Sequence, residues 1–188
     1  MNFHSCLTFL LLLTAPACAA DRAKEQPMKI KDGISAAAKY EVPQSWTEEF
    51  SLNQGDPQAL ISRDLHKIKV RLSGGEGSRY KTAGDFLVGF EARSRGGKPA
   101  GKTGTALVSG VRVLIYSREV PVSLPPPDTA GPSVFAREEF CVVPAGKMFF
   151  VLSYSYGDSI PDPSYDGLEA WRKFIKTFRA LKTKKPAK

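Results

Sequence analysis

Two stretches of the chain alternate between apolar and polar residues, and this alternation predicts β-strands. In residues 65–72 (LHKIKVRL), Ile68, Val70 and Leu72 fall on one face and cationic residues on the other, as in a half-buried strand. Residues 105–122 are rich in β-branched and aromatic residues that alternate in the same way, with a break near Gly110. This second stretch predicts one long strand or two short ones.

A β-hairpin is predicted further along the chain. Residues 134–143 and 148–156 both have a strand pattern, and the Pro-Ala-Gly-Lys sequence at 144–147 between them is typical of a tight turn. Residues 39–43 predict one more short strand, which ends at Pro43 because proline cannot continue a strand ladder.

An apolar stripe with the spacing of an α-helix predicts a C-terminal helix. Asp162 and Pro163 precede the stripe and are typical of a helix N-cap and first turn. The residues of the stripe are Leu168, Trp171, Phe174, Ile175, Phe178 and Leu181. A shorter helix is expected within residues 80–93, where Gly84 and Gly89 weaken the helix propensity.

The order of these elements predicts the fold class. The strands come in sequential runs joined by short turns, with helices in the middle and at the end. This order favours an α+β domain, with helices packed on a mainly antiparallel sheet, over alternating βαβ units. We expect a single domain over residues 38–181.

The N-terminal residues have the pattern of an export signal. Residues 1–20 carry no charge, and an apolar run at 7–13 is followed by small residues. This predicts a secretory signal peptide over residues 1–20 that is cleaved after Ala19 or Ala20. The sequence Ala-Pro-Ala-Cys at 15–18 also resembles a lipobox. Lipidation of Cys18, which would hold the protein on a membrane, is therefore the alternative.

The positive charge of the protein is concentrated at its C-terminal end. The formal net charge is +8, and residues 171–188 contain eight of the 27 lysines and arginines and no acidic residue. We expect residues 182–188 to form a basic tail and residues 21–37, which are polar and mixed in charge, to form a flexible N-terminal arm. The basic end could attract an acidic partner or an anionic membrane surface. Nucleic acid is not an expected partner, because an exported domain rarely meets it.

Few residues are candidates for catalysis or metal binding. Without the signal peptide the chain has one histidine, His66, and one cysteine, Cys141. An intramolecular disulfide and a His-rich metal site are then excluded, and no catalytic triad is evident. Glu138 and Glu139 should point to opposite faces of their strand, so they cannot act as a carboxylate pair. We therefore assign no catalytic residue, metal or cofactor, and expect a protein that is not an enzyme.

Residues 96–103 (GGKPAGKT) match the phosphate-loop pattern of nucleotide-binding proteins letter for letter. The match lacks the context that the chemistry needs. No apolar strand precedes these residues, and the residues that follow have a strand pattern. Phosphate binding needs a helix N-terminus at that point. We therefore predict a flexible basic loop and no nucleotide as a partner.

The most suggestive surface is the corner between the predicted hairpin and the last helix. Tyr154, Tyr156 and Tyr165 cluster there in the sequence. Tyrosine combines a large contact area with a hydroxyl group, which suits a docking surface. The predicted partner-binding residues are these three tyrosines and three cations of the last helix, Arg172, Lys176 and Arg179.

Three segments carry a resemblance to a known family. They are residues 40–46 (YEVPQSW), 139–154 (EFCVVPAGKMFFVLSY) and 170–178 (AWRKFIKTF). In these segments the chain resembles the PsbP-like superfamily, which includes the extrinsic P subunit of photosystem II, Mog-type proteins and exported bacterial DcrB-like proteins. The resemblance implies an α/β/α sandwich around an antiparallel sheet.

The resemblance also implies non-enzymatic work. We expect an exported domain in the bacterial periplasm or at its membrane that binds or steadies another envelope protein. The alternative is a small exported ligand-binding protein or hydrolase that uses the tyrosine corner as a pocket.

Overall fold

The computed structural model of this chain describes residues 17–123, 134–156 and 166–181, with side chains from residue 27 onward and excepting those of 122, 123 and 134. Its elements are α1 (Ala17–Ala37), β1 (Ala38–Lys39), β2 (Thr47–Asn53), β3 (Asp56–Arg63), β4 (His66–Ser73), α2 (Ala83–Val88), β5 (Gly101–Val108), β6 (Val111–Ser123), β7 (Val134–Ala145), β8 (Met148–Tyr156), α3 (Gly167–Thr177) and β9 (Arg179–Ala180). Short 3₁₀ turns lie at Phe90–Ala92 and Arg95–Gly97.

Within these residues, seven strands form one sheet in the order β2-β3-β4-β8-β7-β6-β5, and two more strands, β1 and β9, pair with each other. Every neighbouring pair of strands is antiparallel. The prediction of an α+β fold with a mainly antiparallel sheet and a C-terminal helix is confirmed.

Helices cover both faces of the large sheet. On one face, α1 and α3 pack against the larger hydrophobic core, to which Ile34 and Trp171 contribute fully buried side chains. On the other face, α2 and the following 3₁₀ turn cover a smaller core around Phe86 and Phe140. Each face of the sheet buries its apolar residues against helices, which gives three layers. None of the helices in the described ranges combines the length and the apolar character needed to cross a bilayer.

The segment expected to be a flexible arm is helical. Residues 21–37 lie in α1, and Ile30, Ile34 and Ala37 are buried against the sheet. Their spacing of four and three residues puts them on one side of the helix. The prediction was wrong because the surrounding residues are polar and Pro27 lies within the helix, so the short apolar stripe was not recognised. Residues 1–16 lie outside the described residues.

A hairpin formed by β2 and β3 was not predicted. Its turn places Gln54 and Gly55 at positive φ (52° and 87°), the backbone conformation that matches a two-residue hairpin loop. β2 is an edge strand with mostly exposed residues, and β3 carries Pro57. Neither strand therefore has the strong alternation on which the other strand predictions rested.

Helix α3 begins later than predicted. Asp166, and not Asp162, is its N-cap, and the Asp166 carboxylate accepts hydrogen bonds from the backbone N–H groups of Leu168 and Glu169 at 2.9 and 3.0 Å. The predicted cap at Asp162 and Pro163 lies outside the described residues. The helix ends at Thr177, so Arg179 belongs to β9 and not to the helix.

Candidate functional site

The structure divides the predicted tyrosine corner. Tyr154 is buried, with its ring stacked on Trp171 at 6.1 Å between centroids and its hydroxyl 2.9 Å from His66 Nδ1. It is a core residue and offers no area to a partner. Tyr156 is 39% exposed and remains available. Tyr165 lies outside the described residues, as do residues 182–188 of the predicted basic tail.

The predicted helix cations do not form one free stripe. Arg172 is paired with Glu139 (Nη2 to Oε2, 2.9 Å), so its charge is balanced. Arg179 donates hydrogen bonds to the carbonyl oxygens of Lys176 and Phe178 at 2.6 and 2.8 Å. Arg179 thus serves the last carbonyl groups of α3, a usual role for a cation at a helix C-terminus. Lys176 lies on the exposed side of α3.

Cationic side chains instead gather at the other end of the sheet. β5 pairs with β6 only as far as the Gly101–Ser117 register, so β6 extends beyond its neighbour. The loop around the 3₁₀ turn Arg95–Gly97 lies along this extension, where Ser94 Oγ accepts a hydrogen bond from the N–H of Glu119 at 2.9 Å. An open groove of about 1080 Å³ lies between this loop, β6, β7 and the end of β8.

We call this feature the basic groove. Its charged lining residues are four cations and one acid: Arg95, Lys98, Arg118, Arg137 and Glu119. Phe135 and Tyr156 supply its aromatic surface. Arg95 lies over the Phe135 ring at 4.2 Å, and Arg137 Nε donates to Ser117 Oγ at 3.1 Å. Arg118 is paired with the buried Glu138, so the positive charge open to a ligand comes from Arg95, Lys98 and Arg137, against the one acid Glu119, beside this aromatic wall.

A buried carboxylate supports one of these cations. Glu138 is 1% exposed, and its Oε2 accepts hydrogen bonds from Arg118 Nη2 at 2.6 Å and Nε at 2.7 Å. Its Oε1 accepts one from Ser153 Oγ at 2.8 Å and lies 3.4 Å from Lys69 Nζ. Burial by itself raises the pKa of Glu138, but the charges of Arg118 and Lys69 and the hydrogen bonds outweigh it and hold the pKa below its ordinary value.

The Arg118 guanidinium is thereby fixed at the edge of the groove. Its plane lies over the Phe140 ring at 4.6 Å, and its Nη1 is buried without a hydrogen-bond acceptor among the described residues. The negative face of an aromatic ring stabilises a guanidinium, which accounts for this arrangement.

A second cavity, of about 580 Å³, lies between α3 and the segment before β2. Its charged lining residues are Glu41, Arg63, Asp166, Glu169 and Lys173. Acids and bases nearly balance there, so this cavity has no strong preference for an ion of either sign. The basic groove is the better candidate for a binding site.

The groups with catalytic potential are buried or engaged in packing. Burial raises the pKa of the Cys141 thiol to about 12, so this thiol stays protonated and is a poor nucleophile at neutral pH. His66 Nδ1 is hydrogen-bonded to the Tyr154 hydroxyl, and the two rings lie nearly parallel. Glu138 and Glu139 contact different sets of residues on opposite faces of β7, as predicted. Within the described residues, no group of three or more His, Cys, Asp and Glu is placed to hold a metal ion.

The structure gives the phosphate-loop match a different setting. Gly96 lies in a 3₁₀ turn, and Gly101, Lys102 and Thr103 lie in β5. A strand follows the glycines where a nucleotide-binding loop would need the N-terminus of a helix. Of the matched residues 96–103, Gly96 and Lys98 line the basic groove.

Comparisons with known proteins leave the family open. No protein-family model matches this chain, and neither does any curated protein. A structural alignment is found with LpqN, whose crystal structure is described as that of a protein involved in cell envelope biogenesis of Mycobacterium tuberculosis. The TM-score is 0.33 and the identity 12%, over 76% of this chain and 82% of LpqN. Similarity at this level carries no argument about function, so the PsbP-like assignment stays a prediction.

The basic groove is not evident in the sequence for an identifiable reason. Its cations are far apart along the chain and become neighbours through the β6–β7 register, which sets Arg118 opposite Glu138 and Glu119 opposite Arg137. The signal available in the sequence is the complementary order of charges in the two strands, Arg118-Glu119 and Arg137-Glu138. Opposite charges in facing positions stabilise antiparallel pairs. This signal becomes visible only when β6 and β7 are aligned as neighbours.

Proposed function

We propose that this protein is an exported, non-catalytic binding domain of the bacterial cell envelope, which holds an acidic segment of a partner protein in the basic groove. The observation that carries this proposal is the groove itself, where the exposed cations Arg95, Lys98 and Arg137 lie beside an aromatic wall of Phe135 and Tyr156. The uncharged, apolar N-terminal segment supports export to the periplasm.

The chemistry of the groove favours carboxylates. Arginine side chains donate paired hydrogen bonds to carboxylates, and they are enriched with tyrosine at the energetically important points of protein interfaces. Arg137 and Tyr156 provide this combination on the exposed rim. Glu119 adds a local negative charge that disfavours a uniformly acidic ligand and selects for a segment with one neutral or basic residue at that point.

The shape of the groove favours a polypeptide segment over a small molecule. Sites for small ligands enclose most of the ligand surface, whereas this groove is open along the edge of β6. An extended segment can lie in an open groove and keep its backbone partly in water.

Photo-crosslinking in the native envelope tests the proposal. A photoreactive phenylalanine analogue replaces Tyr156 in the groove or, as the matched control, Leu114, since the two side chains are equally exposed at 39% and 40%. We expect a discrete protein adduct from position 156 and none from position 114.

Charge reversal then tests whether the groove is responsible. Arg137→Glu in the position-156 protein should remove the adduct, whereas Lys176→Glu, a reversal on α3 outside the groove, should leave it unchanged. Equal adducts from both positions, or an adduct that survives Arg137→Glu in a folded protein, would contradict the proposal.

The site of processing has its own test. Cleavage after Ala19 or Ala20 and lipidation of Cys18 give mature proteins of different mass. Intact mass spectrometry of the protein isolated from envelopes distinguishes these outcomes, and an unprocessed chain would remove the support for export.

A further inference from the structure

Two large apolar side chains project from the turn that follows α2. Val88 is 72% exposed and Phe90 is 75% exposed, the highest values among the large hydrophobic residues of the described ranges. They flank Gly89, so the two side chains branch from neighbouring points of the backbone. Phe86, two residues before Val88, is fully buried. The chain thus passes from core to an exposed apolar pair within one turn.

The turn that carries this pair is well ordered by its hydrogen bonds. Thr82 and Asp85 form a capping box at the start of α2, and the N–H of Gly89 donates to the carbonyl of Phe86 at 3.0 Å at its end. The Tyr80 ring packs directly against Gly89, where a Cβ would overlap it. Val88 and Phe90 are therefore held outward by a packed backbone.

Exposed cations follow the pair immediately. We call residues 88–98 the docking loop, and its cations Arg93, Arg95 and Lys98 are all exposed. Arg93 ties the loop together by donating to the carbonyl oxygens of Val88 and Gly97, both at 3.3 Å. The single acid of the loop, Glu91, is paired with Arg71 and Arg79. The loop therefore offers an apolar tip within a positively charged surround.

We propose that the docking loop binds an anionic lipid bilayer by inserting Val88 and Phe90 into the interfacial region while its cations contact the lipid headgroups. Peripheral proteins bind anionic membranes through two contributions: apolar side chains enter the interface, and nearby cations are attracted to the headgroups. This surface is distinct from the C-terminal basic end. It shares Arg95 and Lys98 with the basic groove, but its apolar tip of Val88 and Phe90 lies outside the groove lining, so the proposal goes beyond the binding of a partner in the groove.

The size of the apolar tip favours a membrane over a protein as its partner. The exposed parts of one phenylalanine and one valine amount to about 250 Å². A standard protein interface covers about 800 Å² on each side, with a contiguous buried centre. A small projecting tip needs no complementary pocket in a bilayer.

Depth-dependent quenching of a site-specific tryptophan tests the proposal on the full chain. Phe90→Trp places the probe in the docking loop, and Leu107→Trp places it at a control position that is 68% exposed on β5. The native Trp46 and Trp171 are buried and contribute the same background to both proteins. Vesicles consist of phosphatidylcholine with or without phosphatidylglycerol, with brominated acyl chains as the quencher.

In vesicles that contain phosphatidylglycerol, we expect the probe of the Phe90→Trp protein to be quenched and its emission to shift to the blue, with a smaller effect at high ionic strength. The probe of the Leu107→Trp protein should be unaffected. In the chain without the tryptophan probes, Val88→Ser combined with Phe90→Ser should lower the vesicle partition coefficient by about tenfold or more.

Three results would overturn the proposal. They are an unquenched probe at position 90, equal quenching of the probes at positions 90 and 107, and unchanged partitioning of the serine variant. Equal quenching would show that contact with the bilayer is not specific to the docking loop. If a photoreactive group at position 90 captured one envelope protein and vesicles left the Phe90→Trp probe unquenched, the loop would be a protein-docking surface instead.

Discussion

Removing the charge of Glu138 tests the electrostatic support of the basic groove. Glu138→Gln preserves the shape of the side chain, and its amide oxygen can still accept a hydrogen bond from Arg118. What it removes is the counter-charge for a guanidinium whose side chain is only 11% exposed. Removing one partner of a buried ion pair costs about 3–5 kcal/mol. Because Lys69, the second cation beside this carboxylate, is 37% exposed, we expect a loss of about 2–4 kcal/mol in the free energy of unfolding.

Urea unfolding followed by circular dichroism measures this loss. With a slope of about 2 kcal/mol per molar urea, the midpoint should fall by about 1–2 M. Glu139→Gln is the matched control, since it makes the same substitution one residue later on the opposite face. Its partner Arg172 is 42% exposed, so we expect a loss of no more than about 1 kcal/mol.

The pH dependence of stability gives an independent readout of the same group. Because the pKa of Glu138 is lowered in the folded protein, its contribution is fully present above the ordinary value of 4.5 and is lost as the pH falls through the lowered pKa. The stability difference between the wild type and Glu138→Gln should therefore narrow below pH 4.5. If Glu138→Gln unfolds at the wild-type urea midpoint, or costs no more than Glu139→Gln, the assigned role of this carboxylate is wrong.

Three further substitutions or reagents probe the packing around the candidate site. Gly167→Ala places a Cβ against the His66 ring and the Tyr154 hydroxyl, so it should lower the free energy of unfolding in urea by about 1–3 kcal/mol. Gly104→Ala, which has open space around the new Cβ, is the control and should lower it far less. Asp166→Ala removes the N-cap of α3 and should cost about 1 kcal/mol, with most of the loss recovered in Asp166→Asn, as thermal melts of the three proteins would show. Cys141, with a pKa raised by burial to about 12, should be alkylated only as fast as the protein opens, which peptide mapping of a timed iodoacetamide reaction would check. Rapid alkylation of Cys141 under native conditions would contradict its burial.

The fold was predictable where one face of an element is clearly apolar. β4 and α3 each place their apolar residues on one side, so their sequences show the period of a strand or a helix. The β7–β8 hairpin is different, because β8 is buried on both faces, and its long apolar run with the tight turn before it carried the prediction. β2 was missed because an edge strand has little to bury, and Phe50 is the main apolar residue that it packs on the core. α1 was missed because, among its described side chains, those packed on the sheet form a short stripe of Ile30, Ile34 and Ala37 in an otherwise polar sequence.

The candidate site was predictable only in part. Tyr156 was predicted and lines the groove, whereas Tyr154 was predicted for the same reason and is buried. Both lie on the same face of β8, since residues two apart in a strand do. The sequence cannot show where a covering helix ends along that face. Here Tyr154 stacks on Trp171 of α3, and Tyr156 lies beyond that cover.

By itself, the sequence determined the secondary-structure periods, the N-terminal apolar segment, and the placement of Glu138 and Glu139 on opposite faces, because these follow from local geometry. The tertiary structure alone decided which charges meet. The basic groove forms because β6 extends beyond the end of β5 and pairs with β7 in one particular register, which brings together Arg95, Lys98, Arg118 and Arg137. This pairing, together with that of β7 with β8, buries Glu138 between Arg118 and Ser153. Electrostatic energy depends on distances through space, and these distances exist only once the strands are paired.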